Sequence, residues 1–212
     1  MRPAAAGAVL GLALAIGVPT AWSLTRPPAA VGASVEQALP APASPAAEGP
    51  AIPTRDAAPA PVADAPAPVR LQVPALGVDT AVEPVGVAPD GQMVIPDDVA
   101  RVGWYRFGPA PGENGSAVIA GHVDDREQGL GVLAPLREAA VGQEVTVTAA
   151  DGTTTRWRVV SRELISKQVL PVDRLFSRAG PPRLTLITCG GPFLPELGSY
   201  RDNVVVIAEP LP

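Results

Sequence analysis

The fold class this sequence predicts for residues 69–212 is an all-β barrel or sandwich with one or two short helical insertions. Hydrophobicity alternates with period two through 69–74, 143–148 and 155–159, the last with the Trp157 indole on the inward side. Three other runs, 116–120, 184–188 and 203–208, are apolar on both faces and read as central strands. Turn punctuation separates the runs: Pro89-Asp90-Gly91, Glu113-Asn114-Gly115 and Asp151-Gly152. Helical pattern is confined to 131–140 and to 172–177, which follows Pro171. Many short strands with few helices exclude an α/β sheet or a helical bundle. A domain of this length buries about two-thirds of its unfolded surface, enough for a core without disulfides.

Two segments of other character precede the domain. Between Arg2 and Arg26 lie 23 residues without a charge, centred on Ala8-Val9-Leu10-Gly11-Leu12-Ala13-Leu14-Ala15-Ile16. A bilayer span needs ~20 apolar residues, so residues 1–26 are expected to be an uncleaved signal-anchor. A cleaved signal peptide is the alternative, although Ala21-Trp22-Ser23 is a poor cleavage site. Either reading places the rest of the chain outside the cytoplasm. Residues 27–68 are expected to be a Pro/Ala-rich disordered linker. The stretch 27–69 holds 11 prolines and 15 alanines and shows no apolar period. As a spacer it would reach on the order of 130 Å extended, or roughly 40 Å as a coil.

Charge and composition narrow the function. The net charge of −5 offers no basic surface for nucleic acid, and no phosphate-binding loop is present. One histidine and one cysteine give no metal-ligand spacing, so no metal or other cofactor is expected. Asp124-Asp125-x-Glu127 reads as a solvated acidic turn, since it lacks the alternate spacing of a calcium loop.

Exported domains that use cysteine structurally carry pairs. Cys189 is unpaired and closes the apolar run Thr185-Leu186-Ile187-Thr188-Cys189, broken by Gly190-Gly191. His122 ends Ala117-Val118-Ile119-Ala120-Gly121-His122, and Arg201 precedes Val204-Val205-Val206-Ile207-Ala208. Each therefore sits at or near the end of a predicted buried strand. A thiol, an imidazole and a guanidinium so placed point to acyl transfer through a thioester. Imidazole can take and return a proton near neutral pH, and arginine offers permanent positive charge where an oxyanion develops.

These runs, with Gly190-Gly191-Pro192-Phe193, Ser199-Tyr200-Arg201-Asp202-Asn203 and Gly121-His122-Val123-Asp124, resemble the bacterial sortases, closest to the class F (actinobacterial-type) branch. The resemblance covers the anchor, linker and domain. It implies an eight-stranded β-barrel and transpeptidation: cleavage of a Leu-Pro-x-Thr-Gly-like motif on a secreted protein and transfer of the acyl group to an amine of peptidoglycan or its precursor. It implies Cys189 as nucleophile, His122 as general acid and base, and Arg201 as holder of the substrate carbonyl. Thr188 and Tyr200 are expected substrate contacts, although barrel packing is the stronger reading for Tyr200. The expected protein is a single-pass membrane monomer with an extracellular catalytic domain. A sortase-like hydrolase and an inactive binding barrel remain alternatives. An L,D-transpeptidase would need a Ser/Thr-x-Gly-Cys-x-Arg arrangement and a second histidine, both lacking here.

Overall fold

The computed structural model describes residues 27–39 and 65–212. The expected anchor over 1–26 and the 40–64 part of the expected linker lie outside the described residues. Among those described, no helix is long and apolar enough to cross a membrane.

The strands, in chain order, are β1 (Ala30–Gly32), β2 (Pro68–Val73), β3 (Val78–Val85), β4 (Val102–Tyr105), β5 (Ser116–Ala120), β6 (Asp124–Asp125), β7 (Gly129–Leu130), β8 (Glu144–Ala149), β9 (Thr154–Ser166), β10 (Arg183–Leu194) and β11 (Ser199–Pro210). Two four-residue helices accompany them, α1 (Val35–Ala38) and α2 (Val172–Leu175). Eight strands close into a barrel in the order β9-β11-β10-β5-β4-β3-β2-β8, with β8 returning to β9. Closure leaves no free sheet edge among these eight, the usual solution for a small antiparallel domain. Two neighbour pairs are parallel, β3–β4 and β5–β10.

The barrel interior is filled from alternate positions: Ala117 and Ile119 of β5, Leu184 and Leu186 of β10, Val204, Val206 and Ala208 of β11, and the fully buried Trp157 of β9. The opposite positions, Val118, Ala120, Ile187, Val205 and Ile207, form a second cluster on the outer wall. That double burial is why these strands are apolar on both faces. The expected helix over 131–140 is only a 3-10 turn at Ala134–Glu138, started by Pro135 after the Gly131 amide has bonded the Val123 carbonyl at 2.9 Å. The expected helix over 172–177 shortens to α2.

The linker expected over 27–68 is corrected for residues 27–39, which form a strap against the barrel. β1 pairs antiparallel with β9, Ala30 opposite Glu163 and Gly32 opposite Ser161, on the edge that β8 leaves uncovered beyond Arg158. A capping box starts α1: the Ser34 hydroxyl accepts from the Gln37 amide at 3.2 Å, and the Gln37 side chain accepts from the Ser34 amide. Val35, Ala38 and Leu39 are buried in the outer cluster. Barrel side chains satisfy the strap's backbone: Ser161 donates to Ala33 O at 2.6 Å, Arg162 to Pro28 O at 2.8 Å, and Arg183 to Ala38 O at 2.9 Å. Arg174 donates to the carbonyls of Glu36 and Leu39. A mean composition hides this strap, because its few bulky residues are diluted by proline and alanine on either side.

Candidate active site

The three candidate residues converge at one end of the barrel. β5 and β10 run parallel, with Ala120 opposite Ile187. The pairing continues past the named strand end: the Gly121 amide donates to Ile187 O at 3.1 Å, and the Thr188 hydroxyl donates to Gly121 O at 2.9 Å. His122 and Cys189 are the next residue on each chain. On the other side of β10, Cys189 stands opposite Asn203 of β11, two residues from Arg201.

Strand alternation puts all three on one face. Val118 and Ala120 look outward on β5, Ile187 on β10, Val205 and Ile207 on β11. The same parity carries His122, Cys189 and Arg201 to the outer wall. The thiol and the imidazole are partly buried, and Cys189 is a free cysteine.

Just beyond the cysteine the ladder slips. Gly190 pairs with Asp202 and Phe193 with Tyr200, so Gly191 and Pro192 together face Arg201. Gly191 has φ +73°, and a Cβ there would lie 2.2 Å from Asp202 Oδ2. Only glycine satisfies both the left-handed backbone and that close approach. The bulge lies against a buried carboxylate, Asp202, which accepts from Arg201 Nε and Nη2 at 2.8 Å each. The Asp202 carboxylate strengthens the guanidinium's hold on its proton, and the guanidinium in turn holds the Asp202 carboxyl below the usual carboxylate range. Arg201 remains half-exposed, with Nη1 free of this pair, so a planar, oriented cation faces the outer wall.

Tyr200 lies beside the site. Its hydroxyl donates to Asp124 Oδ2, and its ring meets Phe193 edge-on at 5.3 Å. The bond to Asp124, with burial and the carboxylate's charge, pushes the phenol up to about 12, and Cys189 is close enough to add to the shift. Tyr200 thus ties the hairpin after His122 to β11. Asp125 accepts from the backbone amides of Glu127 and Gln128, which hold its carboxyl below the ordinary range, with a smaller contribution from nearby His122. Among the described residues no acidic, histidine or cysteine group is arranged to hold a metal ion.

Thr188, expected to contact substrate, lies within the barrel wall. It is 3% exposed and its hydroxyl is committed to Gly121, so it clamps the histidine strand to the cysteine strand. Sequence reading missed Asp202, whose signal was an acidic residue directly after the arginine at a position otherwise apolar.

A closed barrel whose parallel β5–β10 pair sets a free cysteine beside the only histidine is the architecture of a cysteine acyltransferase. The description "Sortase domain" matches residues 71–211. The chain belongs to the sortase family, whose members are cysteine transpeptidases. Its fold is similar to sortase C-1 from Actinomyces oris (TM-score 0.53, 19% identity, 68% of this chain and 73% of that one). It is also similar to a Sortase D5 transpeptidase from Clostridium perfringens (TM-score 0.52, 20% identity, 69% and 79% covered) and to a lid mutant of sortase A from Corynebacterium diphtheriae (0.52, 16%, 69% and 71%). No curated protein matches the chain.

Proposed function

We propose that Cys189 attacks the scissile carbonyl of a Leu-Pro-x-Thr-Gly-like peptide, that His122 moves the protons, and that Arg201 holds the carbonyl oxygen as it becomes an oxyanion. The observation carrying this reading is the placement of the three side chains on one outer face at the ends of adjacent strands. The thiol gives its proton to His122 and forms a thioester, and His122 passes that proton to the departing downstream amine. A second amine then attacks the thioester, and its proton passes through His122 to the departing sulfur, restoring the thiol. The acceptor is an amine of peptidoglycan or its precursor, and residues 1–26 anchor the enzyme in the cell membrane with the barrel outside.

Asp202 positions the arginine, fixing its plane through two parallel bonds so that the charge is oriented before substrate arrives. The Cys-Gly-Gly-Pro-Phe and Ser-Tyr-Arg-Asp-Asn runs support the class F branch. Intact-mass spectrometry of the enzyme with a sorting-motif peptide, with and without an added amine, tests the reading. An adduct on Cys189 that becomes a ligated peptide supports transpeptidation. Hydrolysed peptide in the presence of amine supports the hydrolase instead, and no adduct removes the assignment.

A further inference from the structure

The strap changes where the active site faces. Ala29 O accepts from the Leu164 amide at 2.8 Å; Leu164 pairs with Val204, and Val204 with Thr188, the residue before Cys189. Ala29 and Thr188 therefore stand at one level, separated by the β1-β9-β11-β10 spacings, or about 14 Å at ~4.8 Å per strand. The chain enters the barrel at the rim that carries the active site. Upstream of Pro28 the uncharged run ends at Thr25, and three residues span at most ~10 Å.

The same rim carries the most exposed large apolar side chains among the described residues. Leu130 of β7 is 73% exposed, Val169 after β9 72%, and Leu197 in the β10–β11 turn 69%; every other exposed large hydrophobic is 52% or less. Each lies on a segment that continues a strand past its active-site end. Near them in sequence Arg126, Lys167 and Arg201 are mixed with Asp124, Asp125, Glu127 and Glu196, so attraction to anionic lipid is not the organising force. Apolar tips among mixed charges match the interface of a zwitterionic bilayer, where chain ends bury and charges remain hydrated.

We propose that the active-site rim faces the membrane, with Leu130, Val169 and Leu197 seated in the bilayer surface beside the point where the chain's own uncharged segment enters it. This rests on the anchoring reading given under Proposed function. The barrel is then held against the lipid through the strap that begins at its active-site rim. The occupant of the apolar rim is lipid, and the site opens towards substrates that are themselves at the membrane surface.

The test uses the full chain reconstituted in phosphatidylcholine vesicles containing doxyl-labelled phosphatidylcholine. Leu130→Trp and Leu197→Trp place an indole on the rim, and Val69→Trp places one at the far end of the barrel, where β2 meets β8. Emission is compared with that of the parent chain. The rim indoles should lose most of their added emission to the lipid quencher, and the Val69→Trp indole should keep its own. Equal quenching of all three, or of none, overturns the proposal, as does a chain that does not sediment with the vesicles. Rim indoles indifferent to lipid but altered by a sorting-motif peptide also overturn it, and assign the rim to the peptide. Mass spectrometry on the same vesicles separates the two readings: rim quenching without a Cys189 adduct refutes the catalytic assignment alone, and an adduct without rim quenching refutes the membrane-facing placement alone.

Discussion

Leu39→Ala should destabilise the barrel although it lies 26 residues upstream of Ala65, where the second described stretch begins. Leu39 is 3% exposed and packs in the outer cluster with Ala120 and Ile187, each two residues before a catalytic candidate. Truncating a buried leucine to alanine costs about 2–5 kcal/mol, depending on how far the surroundings collapse. At ~2–4 °C per kcal/mol for a domain of this size, the melting temperature should fall by on the order of 10 °C. Collapse is restricted here, because Arg174 and Arg183 hold the adjoining backbone carbonyls in place. Calorimetry on residues 27–212 provides the measurement, with Val87→Ala, at a position 48% exposed, expected within about 0.5 kcal/mol of the parent. A chain of residues 65–212 should melt lower still. If Leu39→Ala and the truncated chain both melt with the parent, the strap is a passive tail.

Gly191→Ala should lower both the melting temperature and the rate of thioester formation, since its Cβ would displace the carboxylate that orients Arg201; an unchanged rate would detach Asp202 from function. Asp202→Asn should slow acyl transfer while leaving the thiol open to a small alkylating reagent. Because the folded Asp202 carboxyl is held below the ordinary range, its stabilisation is present above pH about 4 and lost as pH falls further; the Asn variant should lack that acid-side loss in a pH–melting series. Arg201→Lys keeps the charge but not the fork, and a lost oxyanion donor costs on the order of 10²–10³ in rate, so retention of most activity would assign the oxyanion to backbone amides. Tyr200, read by ultraviolet titration in a Tyr105→Phe background, should ionise near 12, and Asp124→Asn should bring it down; no change would mean the bond is not made in solution.

The three apolar runs were legible as central strands because their two-sided burial leaves no polar alternation to misread. The placement of Cys189, His122 and Arg201 at or near strand ends was legible from the apolar runs beside them. What covers the outer face was not. Ser34 and Gln37 carry a capping-box spacing, and Val31, Val35 and Leu39 recur every four residues, but proline and alanine on both sides mask so short an element. The bond made by Thr188 was not legible, because only the parallel β5 partner supplies the carbonyl that takes its hydroxyl. Strand β4 also escaped notice, being four residues long and defined by its partners rather than by its own pattern.

The parallel pairing of β5 with β10 bears on how the thiol is handled during folding. The bond from Thr188 to Gly121 joins residues 67 apart in sequence. Contacts of that separation form late, since a long loop must close before any local contact rewards it. Cys189 and His122 are therefore far apart in the unfolded chain and become neighbours only as the barrel closes. On the catalytic reading proposed above, the unfolded chain carries an unassisted cysteine, and its reactivity waits on closure of the barrel.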